Sequence, residues 1–333
     1  MRKFLLFFVA LMIISFLTPS IFLIGVRNNV VPKQDESSGD TNIEESKIEN
    51  RDKIKLLLTS ENKIIELDFD SYIIGVLIGE VPATYEIEAL KAQALVARTY
   101  TLYKLKNSPN LHDGADMCDN INCCQCYKTK EYAFESWDDV EENEKWAKLE
   151  KAVKSTSNQV ITYNGEIISA FFHANSGGKT ENVKYVWGGK EIPYLQSVAG
   201  NEENPYQDTK TFTKEEFAEI IKSYVSDYKE KDYPIEIVDY TGSGRVNTLK
   251  IGEVQIKATE LRKLTGIRST NFRIEKNENG QITFYTIGYG HGVGMSQEGA
   301  NSMAKNGSKY DEIIKHYYTG VEIYRFKIDM SQK

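Results

Sequence analysis

Three regimes of hydrophobic patterning follow one another along the chain. Phe4 to Val26 gives 23 nearly uninterrupted apolar positions, broken at Ser15 and at Thr18-Pro19-Ser20, with Arg2 and Lys3 ahead of it. At 1.5 Å per residue this length crosses a hydrocarbon core of about 30 Å. A cleavable signal peptide has a shorter apolar region and a small-x-small exit, and the run has neither. The pattern predicts a transmembrane anchor over 4–26, residues 1–3 in the cytoplasm and everything after it outside. Lys33 to Lys53 then carries seven acids and four bases with almost no apolar residues. That predicts a flexible acidic linker over 27–52, because such a segment cannot bury enough apolar surface to order itself.

Beyond the linker the pattern becomes that of a folded domain, 53–325. Lys53 to Thr59 and Lys63 to Phe69 read as strands around a Ser60-Glu61-Asn62 turn. Ser71 to Gly79 reads as a helix capped by Asp70 and stopped before Pro82, which lacks the amide proton that a helix interior needs. Glu86 to Lys106 is the strongest helix. Ala89, Ala92, Val96, Thr99 and Tyr103 form one stripe and Leu90, Ala94, Ala97 and Thr101 another, so two faces are expected to pack closely. Asp138 to Lys154 reads as a charged helix. Gln159 to Tyr163 and Glu166 to Phe172 form a hairpin around Asn164-Gly165, and Thr213 with Glu216 is a capping box for a helix to Tyr224. Strands are expected at Ile235–Tyr240, Val246–Ile251, Glu253–Lys257 and Ile282–Ile287, and helices at Ser296–Lys305 and Tyr310–Tyr318, each with a glycine after it. Without a regular βαβ rhythm the fold class is α+β, a mixed domain with a long central helix and hairpins.

Composition narrows the function. The 333 residues carry 41 Lys+Arg against 48 Asp+Glu, a formal charge of −7, which argues against nucleic acid as a partner. Ser176-Gly177-Gly178-Lys179-Thr180 ends like a phosphate loop, but His173 stands where the first glycine is required, so no nucleotide is expected. There is no His-Glu-x-x-His and no Gly-x-Ser-x-Gly. Gly288, Gly290, Gly292 and Gly294 alternate with Tyr289, His291, Val293 and Met295. In an extended backbone one face would then lack side chains, either to pack closely inside or to form a cleft floor under a polymer with His291 presented to it.

Glu80 is the best single catalytic candidate. It follows the apolar stretch Tyr72 to Gly79 and precedes Val81-Pro82, where a buried element breaks into a loop. A carboxyl group in such surroundings has a raised pKa and can donate a proton near neutrality. The other reading is an exposed acid at a helix end.

Gly79-Glu80-Val81-Pro82-Ala83, Ala89-Leu90-Lys91-Ala92-Gln93-Ala94, Ala97-Arg98-Thr99-Tyr100, His173 to Glu181, Trp187 with Tyr194-Leu195, Gly288 to Gln297 and His316-Tyr317-Tyr318-Thr319-Gly320 together resemble the stage II sporulation protein D family. The resemblance implies a membrane-anchored lytic transglycosylase that cleaves the glycan strands of peptidoglycan during forespore engulfment, with Glu80 catalytic. It implies a cleft walled by Arg98, Tyr100, Ser176, Gly177, Gly178, His291, Met295, Ser296 and Gln297, although Arg98 is open to a structural ion pair instead. It also implies stage II sporulation proteins M and P as partners in a membrane complex, with the domain facing the space between the two membranes. The family includes amidase enhancers, so the competing reading is a non-catalytic glycan-binding module that activates a partner amidase.

All four cysteines fall between Cys118 and Cys126, close after His112. Thiolates with an imidazole suit tetrahedral Zn²⁺. Clostridial-type relatives imply His112, Cys118 and Cys124 as ligands of a structural Zn²⁺, with water or Cys126 fourth. The alternative is local disulfides, for instance Cys118 with Cys126.

Overall fold

The computed structural model describes residues 52–326 apart from 110, 138, 139 and 232. The expected anchor and nearly all of the linker lie outside the described residues. Among the described residues no helix is long and apolar enough to cross a membrane.

The long helix, Ile87–Asn107, is the beam on which two cores are built. Leu90, Ala94, Ala97 and Leu102 face a core shared with Ile54, Leu56, the Phe69–Glu80 helix and Leu149, Ala152 and Val153 of the Glu142–Ser155 helix. Ala92, Leu95 and Val96 face a second core with Ile161, Ile168, Val293, Ile313 and Tyr317. The two stripes of small residues read from the sequence are thus both buried.

Lys53–Leu58 pairs antiparallel with Lys63–Asp68, and its other edge takes Met117–Cys118 in parallel. The Asn164-Gly165 hairpin forms with both turn residues at positive φ. Its second strand is only Glu166–Ile167. The expected strand to Phe172 is broken because Phe172–His173 pairs in parallel with Met295–Ser296 instead. Mostly antiparallel pairing with helices interspersed bears out the α+β class.

A third core is built wholly from Phe212 to Phe284. It holds two three-stranded sheets, in the orders Val254–Lys257, Val246–Ile251, Ile235–Tyr240 and Phe272–Lys276, Ile282–Ile287, Gln207–Phe212. The strands at its two chain ends pair with one another, Gln207 opposite Ile287, and the Gly288 amide donates to the Tyr206 carbonyl at 2.7 Å. Residues 207–287 therefore form a module inserted at one point of the remaining fold.

Three local expectations change. Asp70 does not cap: the helix starts at Phe69, the Asp68 side chain makes no cap bond, and Asp70 instead meets Arg98. The capping box of Thr213 and Glu216 forms, but its helix ends at Ile221. The Glu142–Ser155 helix starts later than the charge pattern suggested.

Candidate active site

Glu80 is the last residue of its helix and is half-buried. Its Oε1 accepts a 2.7 Å hydrogen bond from the Cys126 amide. Burial raises its pKa, and the Cys126 amide, which favours the carboxylate, opposes the rise. The amide reaches Glu80 because the helix is notched. A Cβ at Gly75 would lie 2.1 Å from the Tyr127 ring and one at Gly79 2.8 Å from Cys126 Sγ, so residues 126–128 lie directly along the glycine face. The Lys128 amide closes the contact on the Gly75 carbonyl at 3.0 Å. Two glycines inside a helix cost roughly 1 kcal/mol each against alanine, and the docked loop is the reason they are there.

The same loop gathers the metal-type donors. Pairing of Met117–Cys118 with Leu56–Leu57 fixes Cys118, and the Asn120 carbonyl accepts both the Cys123 and Cys124 amides, turning the vicinal pair inward. His112 Nε2 lies 3.3 Å from Cys124 Sγ and 3.7 Å from Cys123 Sγ, and the two sulfurs are 3.9 Å apart. His112, Cys118, Cys123 and Cys124 all have their donor atoms within 4.8 Å of one another. Zn–S of about 2.3 Å and Zn–N of about 2.0 Å place the corners of a tetrahedron about 3.5–3.8 Å apart, so this donor set fits the ion. Burial favours the neutral imidazole of His112, the form that ligates a metal, and holds the Cys118 and Cys124 thiols protonated, which a bound cation would reverse for the thiols alone. Cys123, not Cys126, is the fourth member of the group. Cys126 stands apart, beside Gly79, with its amide on Glu80. All four thiols are free, so the local disulfide Cys118–Cys126 is not formed.

Tyr100, also half-buried, has its phenol pKa raised by burial, then by the neighbouring thiols and Glu80. From Tyr100 a row of rings runs across the fold: Phe171 at 5.8 Å, Trp187 4.6 Å from Phe171, and His291 5.0 Å from Trp187. His291 is half-buried and held on two sides. Its Nδ1 accepts from the Val293 amide, its ring also bonds the Phe172 backbone, and burial keeps it neutral.

The alternating glycines do not form an extended floor. Gly288, Gly290, Gly292 and Gly294 have φ of 88°, 113°, 84° and 72°, a left-handed path. They serve close packing without a strand: a Cβ on Gly292 would lie 2.7 Å from the Arg245 guanidinium, and one on Gly294 2.0 Å from the Phe171 carbonyl oxygen. Met295, Ser296 and Gln297 are buried, as are Ser176 and His173, so their side chains pack inside the fold. Arg98 is buried too, 2.8 Å from Asp70 Oδ1 and over the Phe69 ring, which is the structural ion pair rather than a glycan contact.

Two residues that the sequence did not single out organise the Ser176-Gly177-Gly178 loop. Glu202 accepts the Ser176 and Gly178 amides and the Ser296 hydroxyl, at 2.5, 3.2 and 2.5 Å. The amides that would cradle a phosphate are therefore occupied by a carboxylate of the same chain. Arg245, fully buried and supplied by the inserted module, donates to the Ser176 carbonyl at 2.6 Å and to Ser269 Oγ at 2.7 Å. No local signal marked either one, since both act across long sequence separations.

Comparison with known proteins follows the same residues. The model of the family described as "Stage II sporulation protein" matches residues 58–163, which hold Glu80, Tyr100 and the cysteine loop. The chain is 36% identical over 274 residues to "Stage II sporulation protein D" of Bacillus subtilis (strain 168), covering 81% of this chain and 78% of that one. It is 36% identical over 270 residues to the protein of the same description from Bacillus amyloliquefaciens, covering 80% and 76%. An "Amidase enhancer" of Bacillus subtilis (strain 168) is 27% identical over 303 residues, covering 75% of this chain and 40% of the relative.

Proposed function

Because the chain belongs to the stage II sporulation protein D family, a family of sporulation, we propose that it is a lytic transglycosylase that cleaves the glycan strands of peptidoglycan. The observation that carries this reading is the Glu80 carboxyl, half-buried with a raised pKa and held by one amide. Glycoside hydrolysis ordinarily uses two carboxylates flanking the bond, one of them directing water or attacking the sugar.

One acid suffices when the sugar supplies its own nucleophile. Protonated Glu80 gives its proton to the glycosidic oxygen as the C1–O bond of the N-acetylmuramic unit breaks. The resulting carboxylate takes the proton from the 6-hydroxyl of the same sugar as O6 bonds to C1. The product is a 1,6-anhydro end, no water is consumed, and Glu80 is returned protonated. The Cys126 amide fixes the carboxylate and favours its charged form between the two transfers.

His112, Cys118, Cys123 and Cys124 would hold a structural Zn²⁺. With four protein donors, the ion would cross-link the loop rather than activate water. The chain's own contribution is to carry that loop along Gly75 and Gly79 so that its backbone reaches Glu80. We place the domain outside a membrane anchor over 4–26, in a complex with stage II sporulation proteins M and P.

The amidase-enhancer relative favours a second reading, in which the same surface binds glycan without cutting it and activates a partner. Mass spectrometry of peptide-free glycan strands treated with the protein separates the two. Anhydro ends that disappear in Glu80→Gln, with a rate loss of at least about 100-fold, support cleavage. An unchanged product profile in that variant would remove Glu80 from the chemistry, and no products from the native protein would favour the second reading.

A further inference from the structure

The ring row leading away from Glu80 includes one side chain that the fold leaves open. Trp187 closes the short Val183–Trp187 helix and is 40% exposed. Single exposed apolar side chains are common and usually mean nothing. Trp187 differs in being held from below. Its indole rests on Phe171 at 4.6 Å and on His291 at 5.0 Å, and Phe171 is in turn 5.8 Å from Tyr100, which senses the Glu80 charge. His291 is pinned through the Val293 amide and the Phe172 backbone, so the platform beneath the indole is fixed. The chain then turns away through Gly188 and Gly189, both at positive φ, and beyond the two adjoining residues no atom lies within 4 Å of where a Gly188 side chain would begin.

Resting on the glycan-cleaving reading, we propose that Trp187 is the stacking platform of a sugar subsite, taking the apolar face of an N-acetylhexosamine ring in the strand that Glu80 cuts. A pyranose presents axial C–H groups on one face, and a rigid indole matches that face at little entropic cost. The polymer is thereby bound away from the reacting bond, and remote binding of this kind positions the bond at the catalytic acid.

The test uses the full-length protein carrying Glu80→Gln, titrated calorimetrically with chitotetraose and with peptide-free glycan strands. Adding Trp187→Ala is expected to weaken both by about tenfold or more, and Trp187→Phe to recover most of the loss. With Glu80 intact, Trp187→Ala is expected to raise KM far more than it lowers kcat. Independently of folding in the alanine variant, sugar is expected to shift native tryptophan emission and to lose that shift in Trp187→Phe. Equal affinity with and without Trp187, or no glycan binding by the Glu80→Gln protein, overturns the proposal. Trp187-dependent binding by a native protein that yields no anhydro ends would instead defeat the transglycosylase reading and leave the platform standing.

Discussion

Glu80 sits between two opposed influences, burial that favours its neutral form and an amide that favours its charge, with burial the larger. A general acid must start protonated, so the rate is expected to fall as pH rises through that raised pKa, above the ordinary glutamate value of about 4.3. A steady-state pH profile on soluble glycan strands measures this limb. Stability carries the same sign. A carboxyl whose folded pKa is raised contributes stability below its unfolded pKa and loses it as pH rises through the folded one. Glu80→Gln is therefore expected to stabilise the protein near neutrality by on the order of 1 kcal/mol, the gain vanishing in acid, as read by thermal unfolding at several pH values. His173 runs the other way. Burial pushes it down to about 3, so the unfolded chain gains a proton below about 6.5 that the folded one refuses. Stability is expected to fall on acidification from there, by up to about 1.4 kcal/mol per pH unit, and less steeply in His173→Gln. At this scale the burial of Glu80 was legible, because an apolar run that breaks at a proline marks a carboxyl held in apolar surroundings. The fourth donor was not. Cys123 and Cys126 flank Cys124 almost equally in sequence, and only the Asn120 turn and the glycine notch decide which side chain faces His112.

Among the elements, the helix of Phe69–Glu80 shows how tertiary packing overrides propensity. Alanine in place of Gly79 favours an isolated helix, yet here its Cβ meets Cys126 Sγ at 2.8 Å and the Cys126 backbone at 3.0 Å. Gly79→Ala is expected to lose at least about tenfold in glycan cleavage with little change in helix content by circular dichroism, because the loop is pushed off Glu80. Retained activity would show that the amide contact is dispensable. Chelation tests the same loop from its other end. Removing metal is expected to lower the unfolding temperature and weaken cleavage together, and unchanged values of both would exclude a structural ion. The helices and most strands could be read from periodicity, since their burial patterns repeat locally. The two-residue parallel pairs, Met117–Cys118 and Phe172–His173, could not, because their partners lie far away in the chain. The glycine run misled for a related reason. Period two suggested a strand, whereas each glycine meets a different distant neighbour through a left-handed backbone.

For the molecule as a whole, the inserted module of residues 207–287 has its own core but is keyed into the rest by Arg245. Burial disfavours that guanidinium's charge while Glu181 and Glu202 support it, so it holds the two parts in one arrangement. Calorimetric unfolding of the native protein is expected to show one transition, and Arg245→Met two, with loss of the order of 3 kcal/mol from the broken buried network. A single unshifted transition in the variant would mean that the module is fastened by packing alone.

The carboxylate seated in the Ser176–Gly178 amides bears on inhibition. A phosphate- or sulfate-bearing compound aimed at that loop would have to evict Glu202, a tethered competitor whose effective concentration is on the order of millimolar or higher and is never diluted. An uncharged compound meets no such rival. Medicinal chemistry against this protein is therefore better directed to neutral, ring-shaped ligands than to the anionic analogues that a glycine-rich loop ordinarily invites.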